Sequence, residues 1–447
     1  MAEPARDTGA GGNAGPSSFT ALRGALLYCQ EDPFLVASAL VHEPDGVILC
    51  CDGLIVAAGP AGSVAVPDGV EIADYRGKLI APGFVDTHTH YVQTGMIGAQ
   101  GLQLLDWLDN HTFPAERAFA DPAHAAALAD LFCDELLRHG VTTASVFCSV
   151  HPHSVDALFE AAARRGMRML AGKVLMDRNA PPDLLDTAQR GYDESKALIE
   201  RWHGRGRALY SITPRFAPTS TEQQLAAAGA MRREHPDVRV QSHVAENLNE
   251  VAWVKELFPA AASYLDVYER YGLAGQGAIL AHGIHLDAGD LARCAAAGTA
   301  LSHCPTSNLF LGSGLFDMAA AKAAGVAVGL GADIGAGTTF SMLATMGEAY
   351  KVAQLRGRPI NAAQAFFLAT LGGAQALGLD DRLGSLHAGN EADFVVLDPA
   401  ATPLLAERSR RVQSVEEQLG VLMTLGDDRA VAATWIAGRP AHIRTGR

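Results

Sequence analysis

Between Phe19 and Leu79, short runs rich in β-branched residues are broken by turn formers: Gly46-Val-Ile-Leu-Cys, Gly53-Leu-Ile-Val-Ala and Val70-Glu-Ile-Ala-Asp. Runs of this kind between Gly and Asp predict strands. The same signature returns near the C-terminus as Ala392-Asp-Phe-Val-Val-Leu and Val431-Ala-Ala-Thr-Trp-Ile-Ala-Gly. Residues 19–79 and 384–447 are therefore expected to pair into one small, discontinuous β-sandwich domain. From residue 80 to 383 the rhythm changes, and apolar strand-like runs alternate with Ala-rich helical stretches, as in a parallel sheet built from βα units. Eight such strands are expected, beginning near Leu79, Val141, Met167, Ala208, Val238, Ala278, Thr299 and Val326. That is the count and length of an α/β fold of the (β/α)8 TIM-barrel type.

Composition narrows the setting. The 447 residues are 49% hydrophobic, enough for one large domain and a smaller one. Lys and Arg number 35 against 49 Asp and Glu, a formal net charge of -14 that disfavours nucleic acid and anionic membrane as partners. No run reaches the roughly 20 apolar residues of a membrane helix, because Asp52, or Asp317 with Lys322, interrupts the best candidates. Residues 1–18 are rich in Gly, Ala, Pro and Ser and lack the basic start and apolar run of a secretory signal, so a disordered tail is expected. Seven cysteines without a Cys-x-x-Cys pair point to a reduced, cytosolic compartment. The charges from Glu407 to Gln418 are read as a solvated helix face.

Barrels of this type do their chemistry at the C-terminal ends of the strands. Asp86-Thr-His88-Thr-His90 stands at the end of the first, and alternate strand residues share a face, so His88 and His90 project together. His243 ends the fifth strand, His282 the sixth and Asp333 the eighth. By contrast, His151-Pro-His153 lies past a strand end and is read as surface loop. Taken singly, any of these histidines is best explained as a core residue satisfied by a carbonyl. As a convergent set they are not, since three imidazoles and a carboxylate completed by a water make a catalytic site for zinc or a similar divalent ion.

Longer motifs carry a resemblance. Pro82-Gly-Phe-Val-Asp-Thr-His-Thr-His, with the histidines after strands five and six and the Asp after strand eight, resembles the amidohydrolase superfamily. Five further stretches resemble its guanine deaminase branch: Leu104-Leu-Asp-Trp-Leu with Thr112-Phe-Pro-Ala-Glu116, Lys173-Val-Leu-Met-Asp177, Thr213-Pro-Arg-Phe216, Ser242-His-Val-Ala-Glu-Asn247, and Ser302-His-Cys-Pro-Thr-Ser-Asn308. The likeness runs from Phe19 to about Pro403.

The resemblance implies hydrolysis of guanine to xanthine and ammonia, with one Zn2+ per chain (Fe2+ being the other choice) held by His88, His90, His243 and Asp333. His282 would contact the attacking water and Asp333 would take its proton. Glu246, three residues past His243, would shuttle protons to the ring nitrogen and the leaving amine; its other reading is a helix N-terminal carboxylate. Gln93, Arg215 and Phe216, with His243 and Glu246, would bind the purine: an amide with donor and acceptor, a rigid donor fork, and a stacking face. The branch tends to form closed homodimers. Superfamily members with two metals use a lysine on the fourth strand, and here Ala208-Leu-Tyr-Ser-Ile-Thr-Pro has none. Lys173, on the third strand, reads equally as a lysine paired with an acid or as a direct participant. The Pro-Cys-x-x-Cys of the free-standing nucleoside and cytidine deaminases is absent. Two other readings compete: an enzyme acting on a related heterocycle (8-oxoguanine, thioadenosine or S-adenosylhomocysteine, an s-triazine) and a non-catalytic barrel.

Overall fold

The chain passes from one sheet to another at Gly83, where consecutive amides serve different partners. The Gly83 N–H donates to Asp393 O at 3.0 Å, and the Phe84 N–H to Gly140 O at 2.9 Å. A Cβ at Gly83 would stand 2.2 Å from Thr142 Oγ1, so only glycine admits this close crossing. The structure, a computed structural model, describes residues 18–101 and 103–445. Of the expected tail, residues 1–18, the first 17 lie outside the described residues; Ser18 is tied to the sheet, its N–H 3.0 Å from Asp52 Oδ1.

The terminal sheet is built from β1 (Phe19–Cys29), β2 (Leu40–Cys51), β3 (Leu54–Pro60) and β4 (Ile72–Pro82) of the N-terminal part. The C-terminal part adds β14 (Phe394–Leu397), β15 (Val431–Ile436) and β16 (Arg439–Ile443), in the order β16-β15-β14-β4-β1-β2-β3. The two parts join where β4 and β14 pair antiparallel, Phe394 opposite Pro82 and Leu397 opposite Leu79. Leu22, Leu26, Ile48, Ile80, Phe394 and Trp435 fill the core beneath this sheet. The expectation that the first barrel strand begins near Leu79 is therefore corrected, since Leu79 to Pro82 belong to the terminal sheet. The run from Leu79 to Val85 is apolar in both sheets, so its pattern holds no mark of the crossing.

The barrel strands are β5 (Phe84–His90), β6 (Val141–Phe147), β7 (Arg168–Gly172), β9 (Ala208–Pro214), β10 (Arg239–Val244), β11 (Ala278–His282), β12 (Ala300–His303) and β13 (Val328–Leu330), with β8 (Val174–Leu175) extending the third strand against β9. The other seven strands begin within two residues of the expected positions. All are parallel neighbours in the order β5-β6-β7-β9-β10-β11-β12-β13. Every residue of β5 and β6 is buried, as expected of strands covered on both faces.

Closure between β13 and β5 comes from residues beyond β13. The Asp333 N–H donates to His88 O at 2.8 Å, and the His90 N–H to Ile334 O at 3.1 Å. Thr87 Oγ1 braces the same seam through Leu330 O at 2.9 Å.

A buried ionic cluster fastens barrel to terminal sheet: Arg168 Nε lies 2.9 Å from Glu391 Oε2, and Arg207 Nη2 lies 2.6 Å from Asp393 Oδ2.

Two smaller expectations also change. His151 and His153 are not surface loop: His151 caps the helix Pro152–Arg165, and half-buried His153 places Nε2 2.7 Å from Phe119 O. The proline between them fits the first helical turn, which turns the pair into a helix start. Glu407 to Gln418 spans the ends of two helices, Pro403–Ser409 and Val415–Leu425, with Glu407 paired to Arg410 and Arg411 at 2.7 and 2.6 Å. Among the described residues no helix is long and apolar enough to cross a membrane.

Candidate active site

The strand ends bring His88, His90, His243 and Asp333 together. Their donor atoms all lie within 4.8 Å of one another. His88 Nε2 and His90 Nε2 stand 3.2 and 3.3 Å from Asp333 Oδ1, and His90 Nε2 stands 3.2 Å from His243 Nε2. A tetrahedral ion bound at about 2.0–2.1 Å separates its ligands by about 3.3 Å, so the spacing fits a metal of zinc-like size. The His88 Nε2 atom is buried with no hydrogen-bond partner, a cost that a cation would remove.

The protonation states suit the same use. Burial lowers the pKa values of His88, His90 (to about 3) and His243, leaving neutral imidazoles with free lone pairs. Burial works against the Asp333 charge, yet the neighbouring imidazoles of His88, His90 and His282 hold it well below the usual carboxylate range. His243 Nδ1 lies 2.6 Å from Arg215 O, an acceptor only, so Nδ1 carries the proton and Nε2 offers its lone pair to the cluster. Asp333 and His282 have φ of 50° and 71°, left-handed values rare outside glycine, held at Asp333 by the closure seam. Asp86 assists that seam by accepting from the Ala332 and His88 amides at 2.9 and 3.2 Å.

A second donor set, His88, His282, Cys304 and Asp333, overlaps the first. Burial pushes the Cys304 thiol well above its ordinary pKa, and it donates weakly to Ser302 O, which makes it a poor ligand.

Beside the cluster stand His282 and Glu246. His282 Nε2 lies 3.4 Å from Glu246 Oε2 and 3.8 Å from Asp333 Oδ2. Asn308 Oδ1 sits 2.8 Å from His282 Nδ1 and fixes which ring nitrogen faces the cavity. Glu246 is pushed up to about 8 by burial and by the nearby Asp333 charge, against the opposing hydrogen bond from Ser313 Oγ at 3.0 Å. Burial and the Asp333 charge thus both favour the protonated Glu246 carboxyl. Its loop is pinned by Glu250, whose Oε2 accepts from the Glu246 and Asn247 amides at 2.9 and 3.1 Å.

The cavity continues outward between two walls. Gln93, Arg215 and Phe216 line it together with His90, His243, Glu246, His282 and Asp333, and Leu104, Trp107, Leu108 and Leu311 supply apolar surface. The lining combines apolar and aromatic surface with a few polar groups, as recognition of a planar heterocycle needs. Arg215 and Gln93 both contact the buried Glu116, a residue that sequence reasoning quoted within a motif but gave no role. Asn308, also quoted only within a motif, Ser313 and Glu250 were given no role either. Tertiary contact marks Asn308 and Ser313, whose partners lie 26 and 67 residues away, whereas Glu250 was open to local reading, as the capping-box residue of the helix that begins just past Glu246. Lys173 is wholly buried, bound to Asp186 and 3.3 Å from Glu194, which settles it as a lysine paired with acids away from the cavity lining.

A family model described as the Amidohydrolase family matches residues 79–441. A curated guanine deaminase of Escherichia coli (strain K12) is 51% identical over 436 residues, covering 96% of this chain and 99% of the relative. Among solved structures, the E. coli guanine deaminase superposes with a TM-score of 0.93 at 52% identity, over 95% of this chain and 100% of that one. A guanine deaminase from C. acetobutylicum, with guanine bound in its active site, gives a TM-score of 0.86 at 27% identity, over 95% and 100% of the two chains. With most of its length matched in both sequence and backbone, the chain belongs to the amidohydrolase family.

Proposed function

We propose that this protein hydrolyses guanine to xanthine and ammonia. The observation that carries the reading is geometric: Glu246 Oε2 lies 3.4 Å from His282 Nε2, beside the histidine and aspartate cluster, in a cavity also lined by Gln93 and Arg215. The high identity to a guanine deaminase over nearly the whole chain supports the same substrate.

His88, His90, His243 and Asp333 would hold the ion, and zinc is favoured over iron(II) by three neutral imidazoles with one carboxylate. When bound, such an ion supplies a water whose pKa falls from 15.7 to about 7.

The chain's own residues then move protons and fix geometry. Asp333, ionised, accepts the proton of the attacking water while His282, its Nδ1 held by Asn308, orients the oxygen through Nε2. Attack at C2 makes that carbon tetrahedral. Glu246 gives its proton to the adjacent ring nitrogen, and the carboxylate left behind takes the remaining proton of the hydroxyl formed at C2 and delivers it to the amine. The C–N bond breaks, ammonia departs and xanthine remains; the proton held by Asp333 then returns to Glu246 past His282, which stands between them, and both carboxyls are restored. Phe216 stacks on the base while Arg215 and Gln93 hold its edge.

The reading extends to a cytosolic homodimer, for which light scattering is the check. Its central experiment is the assay of purified protein with guanine, following purine absorbance and released ammonia. Equal or better turnover of 8-oxoguanine, a thioadenosine nucleoside or an s-triazine would replace it.

A further inference from the structure

We infer that Glu116 is a positioning residue that sets the guanine specificity of the site by locking Arg215 and Gln93 in register; the inference rests on the proposed guanine reading.

Glu116 lies on the short helix Phe113–Arg117 and is wholly buried behind the cavity wall. It does not line the cavity, whereas both of its partners do. Arg215 Nη1 donates to both carboxylate oxygens, at 2.8 and 2.7 Å. Gln93 Nε2 donates to Glu116 Oε1 at 3.2 Å, and Gln93 Oε1 accepts the Gly335 N–H at 3.2 Å. The amide of Gln93 is thereby held at both ends, so its oxygen and nitrogen have one sense only.

The carboxylate also manages charge. Arg215 is 3% exposed, and the carboxyl groups of Glu246 and Asp333 line the same cavity. Without Glu116 the guanidinium would be a buried cation drawn toward those two groups, which the chemistry requires for proton transfer. With Glu116 in place, one face of the fork is spent on the protein and the remaining N–H groups keep a fixed direction for the carbonyl edge of a base. Glu116 thus acts on the substrate only through Arg215 and Gln93.

The competing role is that Glu116 merely fastens the segment 104–117 to the barrel. The two roles separate on substrates that differ at the carbonyl. Guanine and 2-aminopurine share the amine at C2, but 2-aminopurine lacks the oxygen at C6. Replacing Glu116 with Gln keeps the shape and removes the charge. In Glu116→Gln, guanine kcat/KM is expected to fall roughly 10- to 100-fold, the loss of a charge-assisted hydrogen bond, and 2-aminopurine far less. The guanine to 2-aminopurine ratio then contracts. On an Arg215→Met, Gln93→Leu background, where neither partner remains to be held, adding Glu116→Gln should leave the ratio where that background put it.

A ratio unchanged by Glu116→Gln, with both substrates intact or both reduced in parallel, overturns the assignment. So does a further contraction of the ratio on the Arg215→Met, Gln93→Leu background. Should Glu116→Gln fail to fold, Glu116→Asp, which keeps the charge but withdraws it from the Arg215 and Gln93 donors, is read in its place: a contracted ratio supports the assignment and an unchanged one overturns it. A parent enzyme inactive on guanine overturns the functional reading and the assignment with it. An active parent with an unmoved ratio overturns the assignment alone.

Discussion

His243 Nδ1 lies 2.6 Å from the carbonyl oxygen of Arg215, so a hydrogen bond joins the candidate metal cluster to a residue that lines the cavity. The two residues are also bridged through the backbone, where the His243 N–H reaches Arg215 O at 3.3 Å. Ser242 Oγ reinforces the contact by donating to Pro214 O at 2.7 Å. Recognition and chemistry therefore share one strand junction, that of β9 with β10. A displacement of the Arg215 backbone would turn the His243 ring and disturb the ligand set.

The metal gives the first prediction. With His88, His90, His243 and Asp333 as one mononuclear site, elemental analysis should find about one divalent ion per chain. His88→Ala should lose both ion and activity, and a chelator should lower the melting temperature as well as the rate, because an ion that binds only the folded state stabilises it. About two ions per chain with full activity would defeat the mononuclear assignment.

Proton transfer gives the second. Glu246 is not among the four proposed ligands and stands beside His282, so Glu246→Gln should keep the ion while kcat falls by about 10²- to 10⁴-fold. Turnover within a few-fold of the parent, at unchanged metal content, would mean that the proton travels by another route.

These first two predictions concern residues that local pattern reveals. His88 and His90 stand out because two histidines alternate at the end of a strand that opens on Phe84-Val85, and strand geometry alone puts them on one face. His282 and Asp333 stand out because each closes an apolar run of the right length, and His243 because it ends the fifth expected strand. The terminal sheet was legible for the same reason, from β-branched runs at both ends. Glu116 was not, because nothing in the sequence near it marks a carboxylate whose cation lies 99 residues onward. Gly83 hid the change of sheet inside a continuous apolar run. At His151-Pro-His153 the strand-end position suggested a loop, but the proline signalled the first turn of a helix.

Stability gives the third prediction, at the join of barrel and terminal sheet. Asp393 is buried and its charge is met by Arg207, which also binds Glu391. Arg207→Met keeps much of the apolar stem and strands the Asp393 carboxylate. Removing one partner of a buried pair typically costs about 3–5 kcal/mol, so the urea midpoint should fall sharply with little change in slope. Arg168, which still reaches Glu391 at 2.9 Å, would soften the loss at Glu391 but not at Asp393. A midpoint within error of the parent would show that water or backbone rearrangement satisfies Asp393.

Specificity gives the last. Arg215 is paired with a carboxylate, as a purely structural arginine would be, yet it spends only Nη1 on Glu116 and it lines the cavity. Those two facts favour a guanidinium that reads the base with its remaining donors. A site built to hydrogen-bond an oxygen rejects the analogue lacking it, by as much as about 10⁴- to 10⁵-fold in the best cases. Guanine should accordingly be strongly preferred to 2-aminopurine by the parent. Arg215→Met retains the aliphatic stem against Phe113, whose ring centre is 5.7 Å from the guanidinium carbon, and deletes the donors. Guanine should then lose more kcat/KM than 2-aminopurine, and the preference should narrow. If Arg215 served only to neutralise Glu116, both substrates would lose in proportion, since a disturbed cavity wall does not distinguish a carbonyl from a hydrogen. Measuring both bases in parent and variant decides the matter, and an unchanged ratio would remove Arg215 from base recognition.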